Sequence, residues 1–432
     1  YFISLEALIE EGVLIEEECK EADFGSQPND IDYKKLYYNR YPLLRKAYER
    51  SKVNENKACL EFVEKNQWWL SDYALFMAVK SRFDGVEWTQ WAEDIRLRWG
   101  FAMDYYRREL YFEIEFQQYM QFKFFEQWKK LKDYANQNGI RIIGDIPIYV
   151  AMDSADTWAH PELFQLDEQN VPYAVAGCPP DGFSADGQLW GNPLYRWNYH
   201  KSTGYDWWIS RLAYCFQLYD VVRIDHFRGF DEYYSIPYGA KSAKTGHWEK
   251  GPGIELFRCV EQRLGWHEVI AEDLGYVTDS VRKLVYESGF PGMKVLEFAF
   301  DSRDSGSAND YLPHNYIENS VAYTGTHDNE TICGWFESIS KAEQQMAREY
   351  LCDFYTPKKQ LYQAFLALVM RSNAKTCIIP MQDYLGYDNQ CRINTPSTVG
   401  KNWRWRLTKV ELSKELQEEI YNRTKRYGRI EE

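Results

Sequence analysis

The sequence is most easily bounded by what it lacks. Its 9 Cys among 432 residues include no C-x-x-C pair and no regular spacing, which excludes a disulfide-stapled fold and a zinc ribbon. An odd, scattered count reads as reduced thiols in a cytosol-like compartment. None of the 7 His stands in an H-x-H or H-E-x-x-H arrangement, so the common zinc-hydrolase patterns are missing. The best apolar run, Ala364 to Met370, falls far short of the roughly 20 residues of a membrane helix. Positive charge is in deficit: 51 Lys and Arg face 65 Asp and Glu, a net charge of −14 that would be repelled by nucleic-acid phosphates. There is no internal repeat and no low-complexity run.

Aromatic side chains are abundant. They form 17% of the chain, with 16 Trp and 34 Tyr. Most serve as core, but flat rings with a polar edge also suit stacking against sugar faces. The length allows one large α/β barrel with insertions or two to three smaller domains.

Residues 3 to 20 carry a helical apolar period broken at Gly12, and residues 22 to 32 read as a loop. From Tyr33 to Asn138 the pattern is helical, with interruptions expected at Pro42, Ser71-Asp72, Asp84-Gly85 and Gly100, and a stop at Gly139. Strand patterns follow at 140–146, 220–225, 268–272, 294–300, 321–326 and 376–381. Helical patterns lie between them, including 253–264, 280–288 and 341–370, and a charged tail after Trp405 reads as a last helix. Strand alternating with helix argues for a parallel sheet with helical crossovers, and a closed (β/α)₈ barrel needs eight strands where six are visible. Tyr1 stands in a hydrophobic segment that reads as the interior of an element. The expectation is therefore a TIM-type barrel with helical insertions whose first two strands precede this chain. The expected division is 1–32 as incomplete barrel, 33–139 as a helical insertion, and 140–432 as the remaining barrel with a cleft loop at 174–198.

Acidic residues fall at the carboxyl ends of four of these strands: Asp145, Asp225, Glu272 and Asp328. In a barrel that is the face where catalytic groups gather. In Val222-Arg-Ile-Asp225 the period of two puts Arg223 and Asp225 on one side, and the cation favours an ionised carboxylate. The alternative for this stretch alone is a structural ion pair. Glu272 follows an apolar run with no adjacent cation, so desolvation favours its protonated form, while Asp273 must point the other way. An ionised and a protonated carboxyl suit retaining glycoside chemistry, which needs the pair about 5–5.5 Å apart. The rival chemistry is a metal site built from His226, Asp273, His327 and Asp328, against which Arg223 would act.

Arg223-Ile-Asp-His-Phe-Arg-Gly229, Ala271-Glu-Asp-Leu-Gly275 and Gly325-Thr-His-Asp-Asn329 resemble the signature blocks of the α-amylase clan. The similarity is closer to its 4-α-glucanotransferases, the amylomaltase or disproportionating-enzyme family. It extends over Gly144 to Val150, the run Gly177-Cys-Pro-Pro-Asp-Gly-Phe-Ser-Ala-Asp-Gly-Gln-Leu-Trp-Gly-Asn-Pro-Leu-Tyr195, Phe290 to Met293, Asn394 to Pro396 and Asn402 to Trp405. The resemblance implies Asp225 as nucleophile, Glu272 as acid/base and Asp328 as transition-state stabiliser. It implies sugar contacts from Arg223, His226, His327 and Asp145, with Asp181, Gln188, Trp190 and Asn192 on a loop covering the cleft. It implies no metal and no organic cofactor. The expected partners are α-1,4-glucans and maltooligosaccharides, with neither nucleic acid nor membrane. Position 182 departs from the family in being Gly rather than aromatic, and the Tyr-containing loop after the family's second strand has no counterpart. The alternatives are an α-glucan hydrolase of the same clan, with water as acceptor, and a catalytically inactive glucan-binding scaffold.

Overall fold

The computed structural model describes residues 1–180, 185–275, 277–303 and 306–430. Its strands are β1 (Ile143–Pro147), β2 (Ala174–Cys178), β3 (Gln188–Pro193), β4 (Val221–Asp225), β5 (Glu232–Pro237), β6 (His247–Lys250), β7 (Val269–Ala271), β8 (Gly292–Val295), β9 (Ser320–Tyr323) and β10 (Thr376–Ile378). The chain forms two compact units. One comprises Tyr1–Phe24, Lys34–Val269 and Val277–Ser288, the other Gly25–Tyr33, Ile270–Tyr276 and Gly289–Glu432.

Within the first unit β1 and β4 pair in parallel, with Asp145 opposite Arg223 and Pro147 opposite Asp225. β4 is buried over Val221–Ile224, as expected of a strand covered on both faces. A second, antiparallel sheet has the order β3-β2-β5-β6. The helical stretch after residue 33 is more continuous than its sequence suggests. The helix Tyr33–Arg50 runs through Pro42, because burial of Leu43, Leu44, Ala47 and Tyr48 outweighs one missing hydrogen bond. Gln67–Arg82 runs through Ser71 and Asp72, whose carboxylate is engaged by Arg98 at 2.6 Å rather than competing for backbone. The break at Asp84-Gly85 is present, with both residues at positive φ. The segment 101–138 is two helices, Gly100–Glu109 and Tyr111–Gln137, separated at Leu110. Trp88, Trp91, Trp158 and Phe76 pack together in this unit's core, so much of the aromatic excess is packing.

In the second unit β8, β9 and β10 are parallel with β9 central. β8 lies earlier than the expected 294–300: it ends at Val295 and turns into the short 3₁₀ segment Leu296–Phe298, which buries Leu296 and Glu297. The expected helix 341–370 is two helices, Lys341–Leu351 and Tyr362–Met370. The first ends at Cys352 in the left-handed region, and Pro357 precludes its continuation. Phe300, Trp335, Phe336 and Phe365 form the core against which these helices pack. The charged tail is the helix Lys414–Arg426.

Candidate active site

In the first unit the parallel register brings two carboxylates to one cation. Arg223 Nη1 donates to Asp145 Oδ2 at 2.6 Å, and Nη2 lies 3.2 Å from Asp225 Oδ1. The Arg223 side chain is 8% exposed, whereas those of Asp145 and Asp225 retain 39% and 43%. A buried planar fork thus fixes two carboxylates that still reach solvent, the arrangement in which Arg is not replaceable by a point charge.

His226 follows at φ 51, a left-handed conformation that turns the chain sharply after β4. Its imidazole is hemmed in by packed atoms, and burial, then the charge of Arg228, lowers its pKa to about 3. It is therefore neutral near pH 7. Trp190 stands perpendicular to this ring at 4.9 Å and 6.3 Å from Tyr149, and its indole N–H donates to Gln188 Oε1 at 3.1 Å. The tryptophan between two glycines therefore has the partners an ordinary surface loop would not supply. The 174–198 stretch is not an irregular loop but contains a hairpin, β2 and β3, in an antiparallel sheet. Gly177 permits the close pairing, since a Cβ there would lie 2.2 Å from Gln188 O. Asn192 Nδ2 donates to Val150 O at 2.9 Å, tying the hairpin to the segment after β1. Asp181 and Gly182 lie outside the described residues.

In the second unit Asp328 is held from several directions. Its carboxylate accepts from Asn394 Nδ2 and lies 3.3 Å from His327 Nε2. Its carbonyl accepts from Arg392 Nη2 at 2.6 Å, and its N–H donates to Thr326 Oγ1 at 3.2 Å. Trp403, 49% exposed, lies 5.2 Å from the His327 ring. Glu272 follows β7 and accepts from Leu274 N–H at 3.0 Å through Oε1. Asp273 turns the other way, as expected, and accepts from Met293 N–H at 2.7 Å, anchoring the start of β8. Burial, then the Asp273 and Glu272 carboxylates, raises the phenol of Tyr311.

Sequence reasoning assigned no role to Arg392, Asn394, Trp403, Glu297 or Asp383. Asp383, 1% exposed, accepts from the Thr324 hydroxyl through Oδ2 and from Ile332 N–H at 2.8 Å through Oδ1. One carboxyl thereby ties both ends of the segment carrying Asp328. Burial raises its pKa to about 6 against those two hydrogen bonds. Glu297 lies beneath the same segment, where a Cβ at Gly325 would meet its Oε1 at 2.7 Å, so the motif's glycine makes room for a carboxyl. Burial, then the charges of Asp383 and Glu330, pushes Glu297 well above the usual carboxylate range. The signal for both was available: Glu297 comes shortly after β8 and Asp383 shortly after β10, as Glu272 and Asp328 come after β7 and β9.

Residues 1–413 match the family model described as 4-alpha-glucanotransferase. A 4-alpha-glucanotransferase of Clostridium butyricum is 44% identical over 434 residues, covering 100% of this chain and 88% of the relative. One of Streptococcus pneumoniae is 46% identical over 438 residues, covering 100% and 85%. Among solved structures, the amylomaltase from Streptococcus agalactiae in complex with acarbose superposes with a TM-score of 0.95 at 39% identity, covering 99% of this chain and 86% of that one. Matches of this extent take in the strand-end motifs and the α/β framework that carries them. The chain belongs to the 4-alpha-glucanotransferase family.

Proposed function

We propose that the protein moves a segment of an α-1,4-glucan to the 4-hydroxyl of another glucan or of glucose, by double displacement with retention. An Asp225 oxygen attacks the anomeric carbon as the bond to the leaving O4 breaks, and Glu272 gives its proton to that oxygen. The acceptor's 4-hydroxyl then loses its proton to the Glu272 carboxylate and attacks the same carbon, expelling Asp225. Asp328, oriented by Asn394 and Arg392, accepts bonds from sugar hydroxyls that tighten as oxocarbenium character grows. Gln188, Trp190, Asn192, His226, His327 and Asp145 line the glucan's path, with Asp181 assigned there from its motif. In this assignment 33–139 is a helical insertion in a barrel formed by 1–32 and 140–432. The nine scattered cysteines, with no C-x-x-C pair, fit a reducing cytoplasm, and no helix among the described residues is long and apolar enough to cross a membrane.

The observation that carries the reading is the buried Arg223 fork shared by Asp145 and Asp225. It sets a fixed cation beside the proposed nucleophile and aims it without neutralising it by proton transfer. Incubation with maltotriose tests it. The expected products are glucose and a ladder of longer oligomers, absent with Asp225→Asn; shorter sugars alone would establish water as the acceptor and overturn transfer.

A further inference from the structure

A cavity of about 400 Å³ in the first unit is lined by the start of the helix Gln67–Arg82, by the segment 155–163, and by the helices Trp197–Ser202 and Asp206–Leu218. None of its residues belongs to the strand-end motifs. Its walls are paved with rings. Trp68 is 56% exposed and Tyr199 37%, while Trp69, Tyr73 and Trp207 are half-buried. An exposed Trp facing an aromatic-lined cavity is costly to leave in water and suits a flat ligand.

Its polar groups narrow the ligand's chemistry. Asp72 is oriented by Arg98 at 2.6 Å, Glu162 by His160 at 3.3 Å, and Asp156 by the Trp207 indole N–H at 3.2 Å. Asp206 is paired with Arg263. A carboxylate can accept about four hydrogen bonds, so each retains capacity for a further donor. Four carboxylates exclude a phosphate or carboxylate ligand. Arg98 and Arg263 offset half of that charge, and among the described residues no group of three or more carboxyl, imidazole or thiol side chains is arranged to hold a metal ion. Rings for stacking and pre-oriented acceptors fit a neutral polyhydroxyl compound, whose hydroxyls supply the donors.

We propose that this cavity is an accessory binding site for a short stretch of α-1,4-linked glucose units, retaining a long glucan on the enzyme apart from the reacting carboxylates. The polyhydroxyl chemistry stands on the cavity itself; the choice of an α-glucan rests on the glucanotransferase reading. The full chain carrying Asp225→Asn, titrated calorimetrically with maltoheptaose, should show two classes of site. Adding Trp68→Ala should weaken one class by about ten-fold or more and leave the other unchanged. Tyr199→Ala, on another wall, should weaken the same class. In the active enzyme, Trp68→Ala should raise KM for amylose with maltotriose kinetics unaltered.

A single class of site insensitive to both substitutions would overturn the proposal, as would displacement of maltoheptaose from the second class by choline. Binding is read here without turnover. Loss of one class by Trp68→Ala alongside failure of the wild type to disproportionate maltotriose would therefore overturn the transfer reading and leave this site standing.

Discussion

At the scale of single residues, Arg223 is the side chain on which the placement of two of the acids turns. Its guanidinium satisfies Asp145 and Asp225 together only because its donors lie in one plane and point in fixed directions. Lysine offers the charge from one point and can serve one carboxylate well at the expense of the other. Arg223→Lys should therefore keep the fold, as read by circular dichroism, and lower kcat for maltotriose disproportionation by about 10²–10³-fold with a smaller change in KM. Equal kcat in the two proteins would reduce the bridge to a structural role. Alternation along β4 put Arg223 beside Asp225 in the sequence alone. The sharing with Asp145 was not legible, because the register of β1 on β4 is set by pairing between strands 78 positions apart.

At the scale of elements, the segment from β9 to the helix Ile332–Ser338 is the one most clearly shaped for work. Asp383 ties its two ends, Asn329 bonds back to Thr326, and Arg392 and Asn394 reach Asp328. Acids at strand ends were the sequence's signal for a site, yet that signal covers two kinds of residue. Asp145, Asp225, Glu272 and Asp328 keep solvent access, whereas Glu297 and Asp383 are buried. Which way a strand-end carboxyl turns depends on tertiary packing, and no pattern in the chain states it. The burial has a pH signature. Asp383 rises from 3.8 to about 6 on folding, so the native state takes up its proton before the unfolded state does. The buried charge thus costs stability above pH 6, the cost fades as pH falls, and it is gone below about 4. Asp383→Asn removes this titration. Denaturant unfolding should show wild-type stability improving relative to Asp383→Asn by about 2 kcal/mol between pH 7 and pH 4. A difference independent of pH would mean that the carboxyl does not titrate in that window.

At the scale of the whole chain, the order of six parallel-type strands with helices between them was legible, because buried strands are short apolar runs and their spacing is set by crossovers. Helix breaks were less so: Pro42 and Asp72 are local signals overruled by packing and by an ion pair. The net charge of −14 was also read directly, and its consequence for function is negative in kind. A field of that sign steers charged partners, and its influence on association is screened over about 10 Å at 0.1 M salt. A maltooligosaccharide carries no charge, so the field offers it neither attraction nor repulsion. The ion pairs on which the proposed chemistry depends have a buried partner in Arg223, and salt screens such pairs weakly. Raising NaCl from about 0.05 to 0.5 M should therefore change kcat/KM for maltotriose by less than about two-fold. A steep fall with salt, measured as initial rates of glucose release, would show that long-range electrostatics assists substrate capture and that the true donor carries positive charge.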